Sequence, residues 1–168
     1  IGILQSMRIQ QAAGLNGNRY ATFHQLGKEQ AQKLHEDDRL YDVGDTIFIG
    51  STPLGNSSLS LYLREYHDNA LSMYPAIGNV KEGRLPEEAI EIALSEDALQ
   101  YLGLDAVIGD TVSLDLSVSV MDGSLSELEY SADFVLTGIL ESSYIGYASG
   151  TVEGIVGEGT AEELLPEE

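Results

Sequence analysis

The chain of 168 residues has no cysteine and no tryptophan, only four prolines, and no lysine or arginine after residue 84. Without cysteine, disulfide frameworks, thiolate zinc sites and thiol catalysis are excluded, and the redox compartment stays unread. Without tryptophan there is no indole platform for a sugar ring. No apolar run approaches the roughly 18–20 residues that a helix needs to span a bilayer. No signal peptide is visible, because the start lacks a basic stretch followed by an apolar one. The chain begins with Ile1 rather than Met, so the expectation is a piece of a longer protein.

What is present is acid. Twenty-eight Asp and Glu against eight Lys and Arg give a formal charge of −20. A nucleic-acid partner is excluded, since phosphate contacts need a basic footprint. Residues 1–84 carry all eight bases and 9 acids, whereas residues 85–168 carry 19 acids and no base. Hydrophobic residues make up 43% of the chain, enough for a real core.

Periodicity assigns the elements. Residues 1–14 read as an amphipathic helix ended at Gly14, either an ordinary one or the outer end of a helix rising from a membrane. Tyr20–Phe23 reads as a short strand, and Gly27–Glu36 as a helix with Ala31 and Leu34 inward. Ile47–Ile49 reads as a strand closed by Gly50 and Pro53. Leu59, Leu61 and Leu63 alternate with polar residues as a second strand. Asp68–Tyr74 fits one helical turn before Pro75. Ile90, Ile92 and Leu94 alternate as a strand, Ser95 is a helix N-cap, and Gly103 closes the helix.

The longest alternation runs from Thr111 to Val120 and resumes from Glu127 to Phe134, which reads as a hairpin with one wet face. Apolar positions are even-numbered in both arms. Facing residues must therefore be even with even, or each apolar side chain would oppose a polar one. A two-residue Asp122-Gly123 turn fails that test, so a three-residue loop such as Met121–Gly123, or a bulge, is expected. Val135–Leu140 continues as an apolar strand. Residues 142–159 read as a Gly/Ser-rich loop, and Thr160–Glu163 has capping-box spacing with room for one turn.

Chemistry is harder to find. His24, His35 and His67 show no metal-ligand spacing. The acid pairs Asp37-Asp38, Glu87-Glu88, Glu162-Glu163 and Glu167-Glu168 read as solvated, since a glycosidase needs two carboxylates across a cleft. Calcium would suit the oxygen-rich composition, but no EF-hand loop exists and Asp122-Gly123 is better used as a turn. Gly150, Gly154, Gly157 and Gly159 do not cradle phosphate, since Glu153 and Glu158 would repel it. There is no Gly-x-Ser-x-Gly elbow. No catalytic, cofactor-binding or metal-binding residue is assigned, no cofactor is expected, and the chain is read as no enzyme.

One stretch carries a resemblance. Gly83-Arg84-Leu85-Pro86 is followed by Ile92-Ala-Leu-Ser95, Leu99–Leu104, Ile108-Gly109-Asp110 with Val112 and Leu114, and Phe134-Val-Leu-Thr-Gly-Ile139. The order and spacing resemble the extracytoplasmic (MacB-like periplasmic core) domain of MacB/FtsX-type ABC transporter permeases, over about residues 76–140. The hairpin's acidic face and the acidic C-terminus depart from that pattern.

The resemblance implies an α+β domain of two lobes. Residues 1–18 would be a membrane-proximal helix and linker. Residues 19–75 with about 132–168 would form a β-α-β lobe, and residues 76–131 a smaller β-rich lobe inserted in it. It also implies a non-catalytic domain at the cell membrane, on the extracytoplasmic side. Such a domain couples ATP-driven motion to substrate export or to an extracellular partner.

The implied partners are the parent membrane helices, a separate ATP-binding subunit or domain, and an exported peptide, lipid or lipoprotein, or a cell-wall enzyme. The parent permease would be dimeric. Within the motif, Gly83 and Pro86 have structural roles, so Gly83→Val is expected to damage folding. Two rivals stand beside this reading: an acidic surface binding or adhesion module, with or without calcium, and a hydrolase with a cleft of convergent titratable groups.

Overall fold

A computed structural model describes residues 21–24, 26–40, 42–122, 124–142 and 148–165. Helix α1 spans Lys28–His35, strand β1 Thr46–Pro53 and β2 Ser60–Tyr66. A 3-10 turn, Ala70–Met73, precedes β3, Val80–Gly83, and β4, Glu91–Ser95. Helix α2 is Glu96–Tyr101, β5 Thr111–Asp122, β6 Ser124–Leu140, β7 Thr151–Val156 and α3 Thr160–Leu164.

The strands close into a six-stranded barrel in the order β6-β4-β7-β2-β1-β5, with β5 returning to β6. The short β3 pairs with the far end of β6. Two neighbours are parallel, β4 with β6 and β2 with β7, and the other barrel pairings are antiparallel. The seam between β1 and β5 is the loosest, joined by the pair Ser51↔Ser117.

This overturns the expected α+β fold with a β-α-β lobe and an inserted β-rich lobe. The chain is mostly β, and its closure interleaves the proposed lobes. Strand β4, from the supposed insert, lies between β6 and β7, and β5 closes against β1. Closure is the physical reason. A sheet with one apolar face can bury it against another layer or curl until that face meets itself, which also removes the edges.

The inward positions make one core. Leu61, Leu63, Ile92, Leu94, Val112, Leu114, Leu116, Phe134 and Leu136 are all buried in it. Burying a side chain such as Phe134 stabilises the fold by about 2–3 kcal/mol. Gly154 on β7 faces the same interior, where an added Cβ would lie 2.6 Å from a Leu63 methyl. Outside the barrel, Ala93, Leu140 and Ile155 form a small second core covered by Tyr66, Leu71, Ile77 and Leu85.

Several local expectations match. Helix α1 is capped by Gly27, and Ala31 and Leu34 are its half-buried residues. Ser95 accepts the Ala98 N–H and caps α2, whose buried residues are Ala98 and Leu99. Even-numbered residues face even-numbered ones along the hairpin, as in Val112↔Phe134 and Leu116↔Tyr130. The turn sits one residue later than expected, since Met121 still pairs with Leu125 and Asp122 with Ser124.

Others are corrected. Ala21–Phe23 is not a strand. β1 runs through Gly50, where the register shifts, and ends only at Pro53. Residues 142–159 are not all loop, because β7 lies within them as a central strand. Thr160 is inside α3 rather than its cap, which is Gly159 in the left-handed conformation. The proposed helix of residues 1–14, Tyr20 and the Glu167-Glu168 pair lie outside the described residues. Among the described residues no helix is long and apolar enough to cross a membrane.

The Gly83-Arg84-Leu85-Pro86 stretch is a lock. Gly83 has φ +77°, and a Cβ there would lie 2.2 Å from the Thr137 carbonyl oxygen. Arg84 donates two hydrogen bonds to the Glu91 carboxylate, at 2.6 and 2.8 Å. The backbone N–H groups of Glu87 and Glu88 donate to the same carboxylate, at 2.8 and 3.1 Å. Gly157 then passes so close that a Cβ would stand 1.8 Å from the Glu88 carbonyl oxygen. These contacts bind the turn before β4 to the ends of β6 and β7.

Candidate functional site

Among the described residues, several places gather charged or aromatic side chains, two of them on β2. The first is on the outer face of β2. Successive residues of a strand point to opposite faces, so Leu61, Leu63 and Glu65 turn inward while Tyr62, Arg64 and Tyr66 turn outward. Arg64 pairs with Glu153 of the parallel strand β7, whose register partner is Tyr62. Its guanidinium carbon lies 5.5 Å from the Phe48 ring centroid and 5.6 Å from that of Tyr62. Both distances are within cation–π range. The two rings are themselves 5.3 Å apart and tilted.

Burial works against the Arg64 charge, but the Glu153 carboxylate outweighs it and raises the guanidinium pKa. Burial first, and Glu153 second, push the Tyr66 hydroxyl well above its ordinary value, so it stays protonated. Tyr66 packs edge-on to Tyr74 at 6.0 Å. Phe48, Arg64, Tyr66 and Glu153 of this face line an open groove of about 1830 Å³ together with Phe23, Leu26 and Leu34. Phe23 and Leu26 are exposed at its rim. The groove offers aromatic and aliphatic surface together with several charged side chains, among them Lys28, Arg39, Asp45, Arg64, His67 and Glu153.

The second place is the barrel end. Glu65 is 1% exposed, a charged residue in an otherwise apolar interior row. Its carboxylate accepts the N–H of Gly159 and of Ala161, both at 2.8 Å, and lies 2.6 Å from His67 Nε2. It does for α3 what a capping side chain does, across a distance of ninety-odd positions in the chain. His67 Nδ1 in turn lies 3.4 Å from Glu158. Thr160, fully buried, donates to the Gly157 carbonyl and accepts the Ile90 N–H. Ile90 has φ +57°, a strained value for a β-branched residue, and its carbonyl also accepts the Val135 N–H.

The residues weighed from the sequence fall apart or serve the fold. Exposed His24 lines the groove, while His67 belongs to the Glu65 latch. His35 meets Asp45 at 2.8 Å and Asp68 at 4.0 Å, a convergence that spacing along the chain does not reveal. Asp37 is bound by Arg39, which holds its carboxyl down to about 2, and Asp38 is exposed. Glu87 and Glu88 lend backbone, not side chains, to the Glu91 turn. Glu162 and Glu163 sit exposed in the first turn of α3, where the dipole favours them.

Glu153 and Glu158 are spent on Arg64 and His67. Sequence reasoning passed over Glu65 and Arg64. The signal for Glu65 was there: it continues the inward phase of Leu61 and Leu63.

No family model matches the chain. No curated protein matches it either.

Proposed function

We propose that the chain is a non-catalytic extracytoplasmic domain of an ABC transporter permease of the MacB/FtsX type. In this role it couples motion driven by a separate ATP-binding subunit to an exported substrate or an outer partner. The single observation that supports the reading is the ordered run Gly83-Arg84-Leu85-Pro86, Ile92–Ser95, Ile108-Gly109-Asp110 and Gly138-Ile139. The reading rests on that order and not on the fold the resemblance implied. The interlocked turn is consistent with a coupling role, since a domain that transmits motion has to move as a rigid body. Its motif residues carry packing: Gly83 lies against Thr137 and Gly138 against Arg84.

The test is the parent gene product in its own membrane. It should carry about twenty apolar residues before Ile1, further spanning helices, and an ATP-binding subunit that co-purifies with it. A parent without spanning helices overturns the reading.

A second reading, an acidic surface binding module, is favoured by the outer face of the β5–β6 hairpin. Asp115, Glu127, Glu129 and Asp133 are exposed there on one two-stranded ribbon. A cationic peptide binding with salt-sensitive affinity, or millimolar calcium raising the melting temperature by several degrees, would favour this reading over the first.

A further inference from the structure

We infer that His35, Asp45 and Asp68 form a binding site for a single divalent transition-metal ion of the zinc type, which pins α1 to the barrel. The three side chains come from separate places: the last turn of α1, the loop entering β1, and the second residue past the end of β2. One ligand atom from each lies within 4.8 Å of the other two. His35 Nε2 stands 2.8 Å from Asp45 Oδ2 and 4.0 Å from Asp68 Oδ2. Ligands around a tetrahedral ion at about 2.1 Å stand roughly 3.4 Å apart. The first distance needs to open and the second to close, each by well under an ångström, which side-chain rotation can supply.

The donor set chooses the metal class. One imidazole nitrogen with two carboxylate oxygens suits zinc, cobalt or nickel, whereas calcium wants six to eight oxygens. All three side chains are partly open, so water can complete the shell. Charge favours a cation. Among the described residues neither Asp45 nor Asp68 has a lysine or arginine within ion-pair distance.

The site also sits where a staple has something to hold. Helix α1 buries none of its residues fully, and the His35–Asp45 contact is a direct polar tie from its last turn to the barrel. An ion bound there would be stabilising, because the unfolded chain does not bring the three ligands together. The inference is independent of the permease reading, since it concerns a peripheral structural ion.

Calorimetric titration of the full 168-residue chain with zinc, and absorption spectroscopy with cobalt, test it. We expect one saturable zinc per chain, a visible cobalt band, and a higher melting temperature on zinc addition. Asp68→Asn suits the left-handed backbone at that position, φ +54°, so the fold should persist. It should weaken zinc binding at least tenfold and abolish the zinc-dependent thermal shift, and His35→Gln should do the same. Absence of saturable binding overturns the inference. So does equal zinc affinity in the wild type and both variants, or displacement of zinc by equimolar calcium.

Discussion

At the residue scale, Glu65 is a side chain that alternation alone places inward although its charge argues for solvent. A carboxylate on the inward row of β2 is costly unless its charge is answered, and here it is answered by two backbone N–H groups and His67. We expect Glu65→Ala to destabilise the fold by about 3 kcal/mol, because it leaves those buried donors without an acceptor. Glu65→Gln, which keeps one acceptor oxygen, should cost about half as much. Urea unfolding of the two variants measures both, and a loss below about 0.5 kcal/mol for the alanine would remove Glu65 as a latch.

Glu91 makes a pH-dependent contribution. The Arg84 guanidinium, helped by the Glu87 and Glu88 N–H groups, holds its carboxyl down to about 2 against an ordinary 4.5. A carboxyl whose folded pKa is depressed adds stability that is fully present above about 4.5. That stability is lost as pH falls toward 2, because the unfolded chain takes up the proton first. Protonating the other acids relieves repulsion and works in the opposite direction. The readout is therefore the difference between wild type and Glu91→Gln. That difference should be constant above pH 5 and shrink between about pH 4.5 and 2. A difference that stays flat through that window would mean the fork with Arg84 is not formed in solution.

At the scale of elements, the hairpin shows how register manages charge. Each outward acid faces a serine: Asp133 opposes Ser113, Asp115 opposes Ser131, and Glu129 opposes Ser117. The hydroxyls of Ser113 and Ser131 each donate to the acid opposite, at 2.5 Å. Like charges directly across a pair of strands destabilise it by roughly 0.2–1 kcal/mol, and opposite charges stabilise it by a similar amount. Ser113→Asp should therefore lower stability and Ser113→Lys hold or raise it, with thermal unfolding as the measure. The opposite ranking would show that the register is not the one described.

The same hairpin was legible from the sequence because its inner face is a closed core and its outer face is water. Period two then appears without interruption from Thr111 to Val120. β4 and α2 were legible for a similar reason, with Ser95 and Gly103 marking the ends of the helix. β7 was not. It lies between a parallel and an antiparallel neighbour, and Ile155 packs into the outer core while Val152 and Val156 face inward. Apolar residues on both faces erase the alternation, and the glycine at 154 reads as loop although it is there to fit beneath Leu63. Closure itself left no local mark. The pairing of β5 with both β1 and β6 is set by residues far apart in the chain, and an open two-lobed sheet would need the same pattern. Of the chemistry, Arg64 with Glu153 depends on β2 lying beside β7, which only the barrel order supplies, while the His35–Asp45–Asp68 convergence depends on α1 reaching the end of the β1–β2 pair.

At the scale of the whole molecule, charge is the dominant surface property. Eight bases face 28 acids, and several of the bases are already committed: Arg64, Arg84, Lys81 and Arg39 each lie against a carboxylate. Salt then acts on two opposed quantities. It weakens the exposed pairs, such as Lys81 with Glu96, but such pairs contribute only about 0–1 kcal/mol each. It also screens the repulsion among the unpaired acids, which a compact state concentrates. The screening length falls from about 30 Å at 0.01 M to about 8 Å at physiological ionic strength. Acids spread along the hairpin thus stop repelling one another, while contacts at hydrogen-bond distance survive. Repulsion outnumbers attraction, so the melting temperature should rise by several degrees between 0.01 M and 0.5 M sodium chloride. The rise should shrink when Glu127 and Glu129, on the exposed hairpin face, are both replaced by Gln. A melting temperature that falls with salt would mean that the few ion pairs, and not the excess of acid, govern the stability of this barrel.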